Sequence, residues 1–183
     1  MNNTLQNKPT EEHWYAMRVT YGREMKVEAA LAGRFETYVP KCYKTIQRFG
    51  HRKYELTSSI NNLIFIHSTE EAIKDLKKKD KVMAECLRFI IDAITDRPMI
   101  IKDKQMEDFI RVSSLPEEQL LLIDIEEGKA LHGKRVRIIE GELTGVEGRV
   151  MRIQGNKKVV VHLEQLVAIG ITFIPPSWLI KLD

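Results

Sequence analysis

The stretch GKRVRIIEGELTGVEGRV, residues 133–150, holds two runs of alternating apolar residues, Val136-Arg137-Ile138 and Val146 to Ile153, around a loop containing Gly141, Gly145 and Gly148. Alternation with a period of two puts every second side chain on one face, so each run reads as a strand. The glycines read as turn residues, because such turns demand positive φ or a backbone approach that a Cβ obstructs. Two strands joined by a glycine-shaped turn are therefore expected. Further β-branched and apolar runs follow at 157–163, 167–174 and 179–182, parted by Gly155-Asn156 and Pro175-Pro176-Ser177. Five short strands with tight turns predict a small all-β barrel over residues 131–183.

Upstream, the pattern is mixed. His13-Trp14-Tyr15-Ala16-Met17-Arg18-Val19 alternates as a strand, and Val27, Ala30 and Leu31 then recur at three- and four-residue spacing, which predicts an amphipathic helix over 24–34 ending near Gly33. Residues 35–47 and 53–57 form a strand, a tip at Phe49-Gly50-His51 and a returning strand, and the apolar run Leu63 to His67 is a further strand. Ser68, with Glu71 three residues on, is the expected N-cap of a second helix carrying Ala72, Ile73 and Leu76. Strands at 87–94 and 99–102 are expected around an Asp96-Arg97-Pro98 turn, followed by a third helix that Asp103 caps and that carries Met106, Phe109 and Ile110. The predicted fold class is α+β: an N-terminal antiparallel sheet flanked by helices over 13–112, a linker over 113–130 and the C-terminal barrel. Residues 1–12, polar and without the apolar stretch of a signal peptide, read as a disordered lead.

Composition narrows the function. Hydrophobic residues at 43% and charged residues at 30% place the chain with soluble globular proteins, and its apolar runs fall far short of the roughly 18 residues that span a membrane. The expected location is the cytoplasm. Cys42 and Cys86 stand alone, and His13, His51, His67, His132 and His162 are scattered, so the sequence predicts no disulfide framework, no metal site and no cofactor. The net charge of +3 is unevenly spread: residues 1–112 carry 20 Lys+Arg against 16 Asp+Glu, residues 113–129 carry 1 against 5, and residues 130–183 carry 8 against 5. Two basic blocks flanking an acidic connector fit two modules that work near nucleic acid. Paired carboxylates, a nucleophile elbow and a phosphate-cradling loop are all missing from the sequence, and the Gly141, Gly145, Gly148 spacing precedes a strand rather than the helix of a dinucleotide site. The chain therefore reads as a non-enzyme.

The 133–150 run resembles the KOW motif, which in its family forms the first strands of an SH3-like barrel. Together with the Trp14-Tyr15 opening, the Leu63-Ile64-Phe65-Ile66 strand and the order of elements, it makes residues 13–183 similar to the NusG family of transcription elongation and antitermination factors. The resemblance implies an N-terminal NGN-like domain that binds the clamp of RNA polymerase through an apolar depression on its sheet. The matching positions are Tyr15, Leu63 and Phe65, unless those side chains are simply core. The chain has Ile60-Asn61-Asn62-Leu63 where many members have Pro-Gly-Tyr or Pro-Asn-Tyr before that strand. This difference, the short polar lead and the Ile174-Pro175-Pro176-Ser177-Trp178-Leu179 run look more like the specialised RfaH-like and UpxY-like paralogs of capsular and exopolysaccharide loci.

Two further contact surfaces are expected. Lys41, Lys44, Arg48, His51, Arg52 and Lys53 fall in a segment free of acids at a hairpin tip, where they would project together toward phosphate. In related factors the comparable hairpin approaches the non-template DNA strand of the transcription bubble, where Tyr43 or Phe49 would stack on an exposed base. The other reading is a solvated hairpin with ordinary surface charge. In the barrel, Gly141, Leu143, Gly145, Val146 and Gly148 form the loop with which family members touch a small-subunit ribosomal protein or the termination factor Rho, although Val146 equally suits the start of the second strand, facing the core. Lys77-Lys78-Lys79 at a helix end is read as a solvated face. The rival function is a ribosome-associated KOW RNA-binding protein, gripping RNA with Lys134, Arg135, Arg137, Arg149 and Arg152. The standing barrel is favoured by Val136, Ile138, Val150, Ile153, Val159, Val160 and Val161, with a fold switch left open.

Overall fold

The computed structural model describes residues 11–48, 50–123, 133–163 and 166–182, without the side chains of Ile46 and Arg48. The chain divides into two compact units, Met1–Val39 with Asn62–Ile100, and Pro40–Asn61 with Ile101–Asp183. Most of the expected lead and most of the acidic part of the expected linker lie outside the described residues.

In the first unit, β1 (His13–Val19) runs antiparallel to β5 (Leu63–Ser68), and the sheet order is β2-β5-β1-β6, with β2 at Glu36–Tyr38 and β6 at Leu87–Phe89. Apolar residues face both ways along β5, whose first four residues are all buried, as expected of a strand covered on both faces rather than one. One face carries Tyr15, Met17, Val19, Ile64 and Ile66, packed with Val27 and Leu31 of α1 (Glu24–Leu31), Ile73 and Leu76 of α2 (Glu70–Lys79), and Met83 of α3 (Lys81–Cys86). The turn into β5 is fastened from α1: the buried Glu24 carboxylate accepts the backbone N–H of Asn62, and the Asn62 carbonyl accepts the N–H of Val19 at 3.1 Å. Asn62 takes φ +61°, a left-handed conformation that asparagine tolerates better than most residues.

Several boundaries differ from the sequence expectation. The N-cap of α2 is Thr69, whose hydroxyl accepts the N–H of Ala72 at 3.1 Å, because Ser68 is held as the last residue of β5 opposite His13. Asp103 lies inside its helix, α4 (Asp103–Ser113), behind an N-cap Lys102 that makes no side-chain cap. Between 87 and 102 the chain forms β6, the hairpin β7 (Ile91–Asp92) and β8 (Arg97–Pro98), and β9 (Ile100–Ile101), which pairs with β1. The turn covers 93–96 and so includes Asp96, at φ +55° and with its N–H on the Asp92 carbonyl at 2.9 Å, while Arg97-Pro98 belong to β8. The Asp92 carboxylate closes it by accepting the N–H groups of Ile94 and Thr95 at 2.7 and 2.9 Å. Those two bonds also hold its carboxyl below the usual carboxylate range.

The second unit contains the hairpin of β3 (Lys41–Arg48) and β4 (His51–Ser58), helix α4, and a six-stranded antiparallel sheet of order β10-β14-β13-β12-β11-β15. Its strands are β10 (Leu120–Ile123), β11 (Lys134–Ile138), β12 (Glu147–Ile153), β13 (Asn156–Leu163), β14 (Val167–Ile171) and β15 (Leu179–Lys181). This is the small all-β module expected, with one strand more: β10 falls inside the stretch 113–130 read as a linker, and its Leu120-Leu121-Leu122-Ile123 run pairs with β14. Burial of Ile123 against Val160 and Ala168 accounts for the apolar character of that run. Helix α4 packs across β13 and β14, and Val159, Val160 and Val161 are accordingly buried on successive positions.

Candidate functional site

Three surfaces carry the residues singled out from sequence. On the first, strand register decides which side chains share a face. Tyr15 pairs with Ile66 and Ala16 with Phe65, so Tyr15 joins the helix-packed face while Phe65 and Leu63 lie on the opposite one, with Trp14 and Ala16. Tyr15 sits edge-on to Phe89 at 5.7 Å, and its hydroxyl pKa is pushed up by burial and then by Glu70 and Glu71. The expected trio is therefore split by the sheet, and none of it is surface: Tyr15 is 4%, Leu63 5% and Phe65 0% exposed. Trp14, its ring 5.1 Å from that of His67, takes the place on the Leu63–Phe65 face that was assigned to Tyr15. Period-two alternation along β1 says only that residues 14 and 15 cannot share a face, and the pairing with β5 decides which of them joins Phe65. Arg18, opposite Leu63 on β5 and Arg88 on β6, is exposed on this face, as is Arg88.

On the second surface, β3 and β4 pair from Lys41–Ser58 to Arg48–His51, and Gly50 at the tip takes φ +81°. Alternation puts Lys41, Tyr43, Arg52, Tyr54 and Leu56 on one face, and Lys44, His51 and Lys53 on the other. Lys41, Lys44, His51, Arg52 and Lys53 are all exposed, but they point two ways rather than together; the Arg48 side chain and Phe49 lie outside the described residues. Sequence reasoning missed Tyr54. Its ring stacks on that of Tyr43, centroids 5.9 Å apart and planes within 18°, with both residues more than half exposed. The signal was the register of the hairpin, which makes residues 43 and 54 diagonal neighbours.

The third surface, the 140–146 loop, is shaped as the glycines require. Gly141 has φ +81° and a Cβ there would come within 2.6 Å of the Trp178 ring, while Gly145 has φ +90°. Gly148 has an ordinary φ and is instead pressed against the Val160 carbonyl of β13, 2.8 Å from where a Cβ would be. Leu143 is buried, at 5%, in place of the exposure expected for an apolar contact loop, and Val146, at 0%, takes the core-facing alternative. Local bonds tuck them in: Gly145 N–H donates to the Ile138 carbonyl at 2.7 Å, and Val146 N–H to that of Leu143 at 3.0 Å. Helix α4 takes up the loop's outward carbonyls, with Arg111 donating to Thr144 and Glu142 at 3.0 and 2.6 Å, and Lys104 to Gly145 at 3.0 Å. The buried Asp108 carboxylate accepts from Lys104 at 2.5 Å and from the backbone N–H of Glu147 at 3.1 Å. Glu147 in turn pairs with Arg137 at 2.6 Å and Arg135 at 3.3 Å, and the Arg137 bond above all holds its carboxyl below the usual range.

Residues 12–110 match the family model NusG, transcription termination factor nusG, over more than half of the chain. The chain belongs to the NusG family. Members of the NusG family are non-enzymatic transcription factors, acting in elongation and antitermination, and the family binds RNA polymerase. No curated protein matches the chain. Among the described residues no helix is long and apolar enough to cross a membrane. The matched span takes in all three surfaces' N-terminal components: the β1–β5 sheet, the β3–β4 hairpin and most of α4. Of the remaining cations, Lys77 lies 5.7 Å over the Phe89 ring and burial lowers its pKa, so the lysine run is only partly the solvated face expected for it.

Proposed function

We propose that this NusG-family chain rides on the clamp of RNA polymerase through its N-terminal sheet, suppressing pausing or termination, and that its C-terminal sheet is a KOW module that recruits a second partner, a small-subunit ribosomal protein or Rho. The family match over residues 12–110 carries the reading. The face bearing Trp14, Leu63 and Phe65 supplies large apolar side chains of the kind that anchor protein interfaces. Because they are buried as the protein stands, binding through them requires that face to be uncovered. The exposed cations of the β3–β4 hairpin then approach the non-template DNA strand, adding salt-dependent affinity without sequence preference.

The ribosome-associated RNA-binding alternative draws on five cations, of which Arg135 and Arg137 are held by Glu147 and Arg149 donates to the Gly133 carbonyl at 3.0 Å. Side chains so engaged are poor phosphate clamps. Specialisation for capsular or exopolysaccharide operons rests on Ile60-Asn61-Asn62-Leu63 and the Ile174-to-Leu179 run. Pull-down of purified bacterial RNA polymerase by the full-length chain, followed by pause-lifetime measurement on a reconstituted elongation complex, tests the proposal. Retention with shortened pauses is expected, and weaker retention for Arg18→Glu, an exposed site that leaves the core intact. A folded protein that neither binds polymerase nor alters pausing overturns it.

A further inference from the structure

Within the second unit, β10 is the outer strand of the six-stranded sheet, and among the described residues it pairs only with β14. The Thr172 N–H donates to the Gln119 carbonyl at 2.8 Å. Bonded and non-bonded pairs alternate along an antiparallel ladder, so Leu121, opposite Gly170, and Ile123, opposite Ala168, turn their backbone groups to β14. The Leu122 N–H and the carbonyls of Leu120 and Leu122 turn the other way, toward the outer edge, while the Leu120 N–H is taken by the Glu117 carbonyl. A sheet edge is ordinarily blunted with charge or proline, yet this one is four aliphatic residues, Leu120-Leu121-Leu122-Ile123. Beside it runs a groove of about 640 Å³, whose other wall is the base of the β3–β4 hairpin. Tyr43, Tyr54 and Leu56 line that wall and Leu122 the near one, and all four are exposed, from Leu56 at 41% to Tyr54 at 70%.

We propose that this edge is a peptide-docking site: an extended, acidic segment of a partner protein adds to β10 as a further strand and lays one face along the groove. Its main chain pairs with the outward groups of Leu120 and Leu122, and every second side chain enters the groove. The side chains that fit there are aliphatic against Leu122, Leu56 and the stacked rings of Tyr43 and Tyr54, and acidic toward the hairpin. Lys41 and Lys44 stand on the hairpin side, and the hairpin from 41 to 58 carries five Lys+Arg against one acid, Glu55. Glu117 and Glu118 on the opposite wall repel an acidic row and so fix the side on which the peptide's acids lie. Among the described residues, neither the hairpin tip from 47 to 53 nor the 140–146 loop lines the groove. The inference therefore goes beyond the function proposed above, and it stands whether or not the tip meets DNA.

The test is fluorescence anisotropy of the full-length chain with a labelled synthetic peptide, Glu-Thr-Val-Thr-Val-Thr-Glu, which as a strand puts both acids and both valines on one face. Its counterpart with lysine at both ends is the control. The acidic peptide is expected to bind roughly 10-fold tighter than the lysine one. Leu122→Glu and Tyr54→Ala, both at exposed positions, should each weaken it by roughly 5-fold or more, and Lys53→Ala, at the tip, should leave it unchanged. Amide hydrogen exchange separates strand addition from side-chain contact alone, because a added strand protects the Leu122 N–H, which has no ladder partner on β14. Equal binding of the two peptides, binding of neither, or binding that leaves the Leu122 N–H unprotected overturns the proposal. So does a Leu122→Glu variant that loses affinity for labelled oligodeoxythymidylate but not for the acidic peptide, which gives the groove to nucleic acid.

Discussion

The β3–β4 hairpin and the 140–146 loop are both turns bearing glycine and apolar side chains, yet the structure treats them in opposite ways. Tyr43 and Tyr54 stand in solvent, while Leu143 and Val146 are buried. The difference follows from what each turn has beside it. The loop's carbonyls are taken up by Arg111 and Lys104 of α4 and its apolar side chains fold under, which satisfies backbone groups and removes apolar surface at once. The hairpin is a two-stranded sheet of its own, and two strands without a layer over them cannot bury both faces. An apolar residue at a turn is thus a contact candidate only where no neighbouring element is placed to cover it.

The comparison breaks most readily at the loop. Leu143→Ala is expected to destabilise the protein by about 2–5 kcal/mol in urea unfolding, as for other buried leucines, whereas Tyr54→Ala should stay below about 1 kcal/mol. Equal small effects would mean that the loop is as exposed as the hairpin. Asp108→Ala removes the acceptor of Lys104 and of the Glu147 N–H from a buried site and should cost about 1–3 kcal/mol by the same measurement. Gly141→Ala introduces both a strained φ and a clash with Trp178, and should cost more than Gly145→Ala, where φ alone is at stake at about 1–2 kcal/mol. Matching melting temperatures for these two variants would remove Trp178 from the account of the loop.

The smallest effect is electrostatic. The Glu147 carboxyl is depressed chiefly by its hydrogen bond from Arg137, so its contribution to stability is present above the ordinary carboxylate pKa and is lost as pH falls through the lowered folded value. Arg137→Ala should bring the carboxyl back toward its ordinary range in an NMR titration and flatten the acid side of the stability profile. An unchanged titration would show that Arg137 does not hold Glu147 in solution.

Much of the fold was legible because its signals are local. The β1, β5, β11 and β12 strands follow from period-two or continuous apolar runs, α1 and α4 from helical spacing, and the glycine turn from the φ values that Gly141 and Gly145 adopt. The α2 cap was missed by one residue because Ser68 and Thr69 offer the same hydroxyl, and only pairing with β1 assigns Ser68 to the strand. The hairpin of β3 and β4 was legible as two strands and a tip, but its cations were expected to point one way, and register sends them two ways. Tyr15 is parted from Leu63 and Phe65 for the same reason, since faces are assigned by pairing rather than by hydrophobicity, and all three are buried, as the core reading of them requires.

By itself the sequence determined the class of fold, the order of its elements and the family to which the chain belongs, because periodicity and turn chemistry act over a few residues and survive any packing. The tertiary structure alone decided that Leu120–Ile123 is a strand, that Trp14 rather than Tyr15 accompanies Leu63 and Phe65, that α4 ties down the 140–146 loop, and that Tyr43 meets Tyr54. Each of these depends on a partner distant in the chain, and burial or exposure is a property of that partnership rather than of the residue.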